Sequence, residues 1–229
     1  MQLQDNISSE FDRFSTNYTS DMQRFVPHYK ELMLALVKYL PTGFNPKRIL
    51  DLGCGTGNCT ALLKAHFPDS EYTLVDASSE MIKICQDRFS SQKIQYQQSF
   101  FQELNFDSGS FDLIVAGFSL HHLKSEEKQA LFPRMAQWMR KNGLFTYSDL
   151  MVDRKDDKLH NQLLEEWKQF TIESQVQQSE WDWLMEHYNT YDFPDDPHSQ
   201  INWLNEAGFS KAEIVWQADK YWTNVLAGV

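Results

Sequence analysis

Gly53, Gly55 and Gly57 alternate within Asp51–Asn58 (DLGCGTGN), although the whole chain has only nine glycines. Glycine tolerates positive φ and lets the backbone come close to a ligand. The spacing sorts the ligands such a loop can hold. A phosphate loop needs lysine after its last glycine, and here Asn58 follows Gly57. The dinucleotide pattern G-x-G-x-x-G needs a glycine at position 58, which is again Asn58. What remains is a nucleoside without a pyrophosphate, or a strand–helix turn in which the glycines serve packing alone. Asp76, 23 residues after Gly53, favours the nucleoside. A carboxylate there can accept both hydroxyl protons of a ribose.

Other side chains could act on a substrate. His121 and His122 titrate near neutrality, so His121 is the candidate general base or substrate contact. Neighbouring residues project differently, so one of the two at most should face a pocket. No HExxH or Cys/His cluster occurs, and adjacent histidines make poor co-ligands, so no metal is expected. Asp149, Trp183 and Tyr191 are the candidate lining of an acceptor pocket for an apolar or cationic small molecule.

Those residues need elements to hold them. Tyr29, Leu32, Met33, Leu36, Val37 and Leu40 recur at helical spacing, and Pro41 stops the run. Ahead of them Phe11, Phe14 and Tyr18 suggest a short helix or aromatic flap. Strands are expected at Lys47–Leu52, Tyr72–Asp76, Ile94–Gln97, Phe111–Ala116 and Leu144–Leu150. Helices are expected between them: Asn58–His66, one capped by Ser78 or Ser79, and Glu126–Arg140 with a bend or restart at Pro133. Such alternation implies a mainly parallel sheet with helices on both faces. From Met151 to Pro197 the alternation pauses in a helical insertion rich in Trp and Tyr. A last helix, Ser199–Ala207, ends at Gly208 and precedes a hairpin of Ala212–Trp216 and Tyr221–Ala227. The expected organisation is one domain: a helical cap (1–46), a core (47–150), the insertion (151–197), and the final helix and hairpin (198–229).

ILDLGCGTGN, LVDASSEMI, FDLIVAGFSLHHL and NGLFTYSDL, in this order, resemble the motifs of class I S-adenosylmethionine-dependent methyltransferases. The resemblance covers about Arg48–Leu150, and Asn205–Val229 is similar to the family's closing helix and hairpin. It implies a Rossmann-like, doubly wound sheet of seven strands whose last strand is antiparallel, with S-adenosylmethionine as cofactor. By position it implies that Asp51, Gly53, Cys54 and Gly55 line the methionine part, and that Gly57 shapes the turn. Asp76 would hold the ribose, Ala77 and Met81 would flank the adenine, and Gly117 and Phe118 would lie near the methyl. Where the family often has an acidic residue facing the adenine, this chain has Phe100, between Ser99 and Phe101. A ring contact from Phe100 or Phe101 is the expected substitute.

The stretch FDRFSTNYTSDMQRFVPHYKELM also resembles the leading helix of a small-molecule subgroup and of carboxy-S-adenosylmethionine synthases. There an early tyrosine and arginine help close the cofactor site, and Tyr18 and Arg24 match them. The implied reaction is methyl transfer to a small-molecule acceptor, achieved mainly by positioning. The alternatives are a synthase that modifies the cofactor and a non-catalytic protein that only binds it.

Bulk properties agree. At 229 residues, with 41% apolar and 23% charged side chains, the chain is long and apolar enough for a full core. Its net charge of −11, without basic clustering, disfavours nucleic acid. No apolar stretch approaches the ~20 residues that cross a bilayer, and no secretory leader is visible. Three cysteines without a CxxC pair fit a reduced, cytoplasmic setting. A homodimer is compatible with all of this.

Overall fold

The computed structural model describes residues 18–89 and 94–229. Phe11 and Phe14 lie outside that range, and so does the side chain of Tyr18. Seven strands form one sheet in the order β3-β2-β1-β4-β5-β7-β6. They are β1 (Arg48–Leu52), β2 (Glu71–Asp76), β3 (Ile94–Gln98), β4 (Phe111–Gly117), β5 (Met139–Leu150), β6 (Ser210–Ala218) and β7 (Trp222–Gly228). β1 to β5 run parallel, and β7 lies antiparallel between β5 and β6. Eight α-helices accompany them among the described residues: α1 (Tyr18–Phe25), α2 (Tyr29–Lys38), α3 (Asn58–His66), α4 (Ser79–Arg88), α5 (Ser125–Trp138), α6 (Asp157–Glu173), α7 (Gln178–Tyr191) and α8 (Pro197–Glu206).

The sheet separates two apolar cores because strand side chains alternate faces. Ile49, Leu74, Leu113 and Val115 join Leu32 and Leu36 of α2, and Trp167 and Tyr188 of the insertion. Leu50, Leu52, Ile114 and Ala116 join Leu131, Phe132 and Met135 of α5 and Leu204 of α8 on the other face. Asp51 shares its face with Ile49, which points its carboxylate towards α3, where Thr60 meets it.

Two local expectations need correction. α5 runs through Pro133 without a break and ends at Trp138. Pro133 sits deep enough in a helix that packs Phe132 and Met135 into a core for burial to outweigh the lost hydrogen bond. β5 starts at Met139, not Leu144, and irregular pairing absorbs residues 140–143 between Met139 opposite Phe111 and Leu144 opposite Leu113. The hairpin turn, three residues between paired Ala218 and Trp222, has left-handed backbone at Asp219 and Lys220. The other marks stand as read: Ser78 caps α4 by accepting from Met81 N, and Gly208 follows α8 with φ 99°.

Candidate active site

β2 and β3 extend the sheet on one side of β1, and β4 and β5 on the other. That reversal opens a crevice at the carboxyl ends of β1 and β4, where ligands of open α/β sheets bind. The glycine loop leaves β1 there, and the segment 118–122 leaves β4 opposite it. Ser119 Oγ bridges the two, donating to the Leu52 carbonyl at 2.7 Å.

Gly53, Gly55 and Gly57 all have positive φ (73°, 52° and 84°). At two of them packing forbids a side chain outright. A Cβ on Gly53 would lie 2.4 Å from Ser119 Cβ, and one on Gly57 2.4 Å from the Phe89 ring. The packing role of these glycines is therefore real at both positions. The loop is also fixed by hydrogen bonds. Gly53 N and Cys54 N both donate to the Val75 carbonyl, at 2.8 and 2.9 Å. Arg88 donates to the Thr56 carbonyl and to Asn58, and Asn58 donates to the Tyr29 hydroxyl of α2. Cys54 is buried with its thiol beside Cys85, so only its backbone is available to a ligand.

Asp76 closes the loop. One carboxylate oxygen accepts from Gly55 N at 2.8 Å and the other from Ser78 N at 2.9 Å. Asp51 is fully buried; Oδ2 accepts from Thr60 at 2.6 Å, and Oδ1 has no hydrogen-bond partner. Burial, with the nearby Asp76 charge adding to it, pushes the Asp51 carboxyl up to about 7.

Several predicted site residues sit otherwise than the sequence suggested. Met81 is only 1% exposed and belongs to the packing of α4. Phe101 packs against Gly53 and the second core, whereas Phe100 is half-buried. Ser99 N donates to the Asp76 carbonyl. Gly117 lies under α2, against Met33 and Leu36, and Phe118 adopts φ 60° with its ring 4.6 Å from His121. Arg24 forms a two-pronged pair with Glu180 of α7, at 3.1 and 2.9 Å, and a contact to Asp21. It joins α1 to the insertion, and its charge is already matched.

The histidines differ most from expectation. Asp149 does not line an open pocket. It is buried, and its oxygens hold His121 at both the backbone N and Nδ1, besides accepting from Leu150 N. His121 and His122 do not diverge: their ring centroids are 4.0 Å apart, and both face Asp192. Burial opposes a charged His121, but Asp149 and Asp192 outweigh it and raise its pKa. Burial and the His121 charge push His122 down to about 4. Burial works against an ionised Asp192 too, yet the surrounding histidines hold it well below the usual carboxylate range.

Asp192 and His187 are residues the sequence reading missed. Both lie in the insertion, 66 or more positions from His121, and no local spacing relates them to it. Their placement has clear causes. Phe193 N donates to the His121 carbonyl at 2.6 Å, and buried Lys128 of α5 bonds the Phe193 carbonyl and Asp195. Trp183 and Tyr191 lie beside this cluster, with rings 5.6 and 5.3 Å from that of His187.

Residues 49–143 match the family described as "Methyltransferase domain". An uncharacterized methyltransferase of Staphylococcus carnosus is 32% identical over 111 residues, 48% of this chain and 51% of that protein. A carboxy-S-adenosyl-L-methionine synthase of Campylobacter jejuni is 25% identical over 222 residues, 94% of this chain and 90% of that one. In fold, an S-adenosylmethionine-dependent methyltransferase from Mesorhizobium loti is similar with TM-score 0.61 at 19% identity, over 86% of this chain and 96% of that one. Human N-acetylserotonin methyltransferase gives TM-score 0.62 at 17% identity, over 96% of this chain and 56% of that one. The chain thus spans about half the length of the Staphylococcus relative and of the human enzyme.

Sheet order, switch-point crevice and glycine loop define a Rossmann-like fold. Residues 49–143 carry the match to the methyltransferase domain, and the chain is similar in fold to S-adenosylmethionine-dependent methyltransferases.

Proposed function

We propose that this chain binds S-adenosylmethionine between the glycine loop and Phe100 and transfers its methyl group to a small-molecule acceptor. The observation that carries the reading is the pair of carboxylates at the crevice. Asp76 sits where a ribose would lie, its carboxylate held in place by Gly55 N and Ser78 N. Asp51 presents a buried oxygen without a partner, and a cationic ligand nearby would relieve its desolvation. Bound there, the cofactor would supply an activated carbon for in-line displacement. The protein's own contribution is alignment, which can supply roughly 7–11 kcal/mol, together with exclusion of water.

His121 is better suited to positioning than to taking a proton. Asp149 occupies Nδ1, Nε2 faces Asp192, and the two carboxylates favour its charged form. The acceptor would lie on the Phe118 side, beneath the aromatic residues of α7. Calorimetry tests the cofactor reading: tight binding of S-adenosylmethionine and S-adenosylhomocysteine is expected, and none of NAD. Asp76→Ala should weaken cofactor binding by at least about thirtyfold, the cost of one or two charge-assisted hydrogen bonds. Tight NAD binding, or an unchanged Asp76→Ala variant, refutes it.

A second reading is favoured by the Campylobacter synthase, which aligns with nearly the whole chain. A cofactor carrying an additional carboxylate needs an available cation. Arg24, the matching residue, is held by Glu180, which weighs against this reading. Mass spectrometry of the nucleoside that copurifies distinguishes the two.

A further inference from the structure

We propose that His121, His122 and Asp192, with His187 beside them, form a binding site for one divalent transition-metal ion of the zinc type. Three imidazole nitrogens surround one carboxylate oxygen. Asp192 Oδ1 lies 3.1 Å from His122 Nδ1, 3.5 Å from His187 Nε2 and 3.8 Å from His121 Nε2. A tetrahedral zinc with ligands at 2.0–2.1 Å would set its donor atoms about 3.3–3.4 Å apart. The observed spacing brackets that value, and the donor atoms of His121, His122 and Asp192 lie within 4.8 Å of one another.

Hydrogen bonding alone accounts poorly for the arrangement. Asp192 Oδ1 is buried and none of the three rings meets it with hydrogen-bond geometry. The 3.8 Å separation from His121 is too long for a hydrogen bond in any orientation, and the 3.5 Å one from His187 stands at the limit. His122 Nδ1 also lies 3.3 Å from the Tyr191 carbonyl, a contact that ligation would replace.

The surroundings are those of a metal ligand set. Asp149 accepts from Nδ1 of His121, so Nε2 is the nitrogen aimed at Asp192, and a metal bound there would replace the proton it carries in the charged ring. A carboxylate behind a ligating histidine fixes its tautomer and orientation in this way. Asp149 and Asp192 together carry two negative charges, which a divalent ion balances. Nitrogen-rich donors with one carboxylate and no thiolate suit zinc and its neighbours rather than magnesium or calcium, which take oxygen ligands. The ion would tie the turn after β4 to the carboxyl end of α7, and so fasten the insertion over the crevice.

The test uses the full chain, stripped with a chelator and then titrated with zinc against a chromophoric competitor. X-ray absorption spectroscopy of the reloaded protein gives the donor atoms. One zinc per chain is expected, bound more tightly than about 1 μM, with nitrogen and oxygen but no sulfur around it. Asp192→Asn and His122→Gln should each weaken binding at least tenfold, while His198→Gln, an exposed position on α8, should leave it unchanged. No stoichiometric zinc, sulfur in the donor shell, or full affinity in both ligand variants overturns the proposal. Should Asp192→Asn fail to fold, the wild-type donor shell and His122→Gln decide. None of these readouts depends on methyl transfer, so failure here leaves the cofactor reading standing.

Discussion

Asp51 shows how one residue's surroundings become a measurable property of the whole chain. Its carboxyl titrates near 7 when folded and near 4 when unfolded, so the folded state holds the proton more tightly. Between those values the unfolded chain binds fewer protons, and stability falls as pH rises. Over about three pH units this amounts to roughly 4 kcal/mol at most. Asp51→Asn should remove this decline, which denaturant titrations at pH 4.5 and 7.5 would reveal as a difference between the two proteins. Equal slopes with pH would show that Asp51 stays charged in the fold. The glycines make a second residue-scale prediction. Gly57→Ala adds a left-handed alanine and a clash with Phe89 and Cys85, a cost of about 2–4 kcal/mol by chemical denaturation.

At the scale of elements, the insertion is fastened to the rest of the molecule at several places. Trp167 Nε1 of α6 donates to the Phe25 carbonyl of α1 at 2.5 Å, and its ring meets Trp181, Tyr188 and Trp222 edge-on. Arg24 and Glu180 join α1 to α7. That pair is about one-third exposed at each end, so solvent leaves it worth only about 0–1 kcal/mol. Arg24→Gln should therefore change stability little. If the charge serves only to join helices, cofactor affinity should stay within twofold by calorimetry. A tenfold loss would instead return Arg24 to the cofactor site that its resemblance to other leading helices implies. The α2 helix has a heavier role: Tyr29 bonds to Asn58, and the Leu32 carbonyl accepts from Ser148 of β5. It packs on the same face of the sheet as Trp167 and Tyr188 of the insertion.

Across the whole molecule, the parts legible in the sequence were those written in consecutive residues. The glycine alternation, the strand before it, Asp76 at the next strand end and the Ser78 cap each depend on a few neighbours. Period-2 and period-3.6 patterns follow from backbone geometry that every residue shares, so the order of strands and helices could be read directly. No helix among the described residues is long and apolar enough to cross a membrane, as hydropathy suggested. What the chain alone could not show depends on distant segments meeting. His121 was visible as a histidine, but its partners Asp149, Asp192 and His187 come from a strand end and an insertion with no fixed spacing to it. The packing of Phe101 into the second core, and the burial of Met81, depended on where each side chain came to rest. Local sequence thus determined the loop and the elements that frame it, because short-range sterics and hydrogen bonds suffice there. Only the packed sheet and insertion determined which charges face one another, because that depends on where chain segments far apart in sequence come to rest.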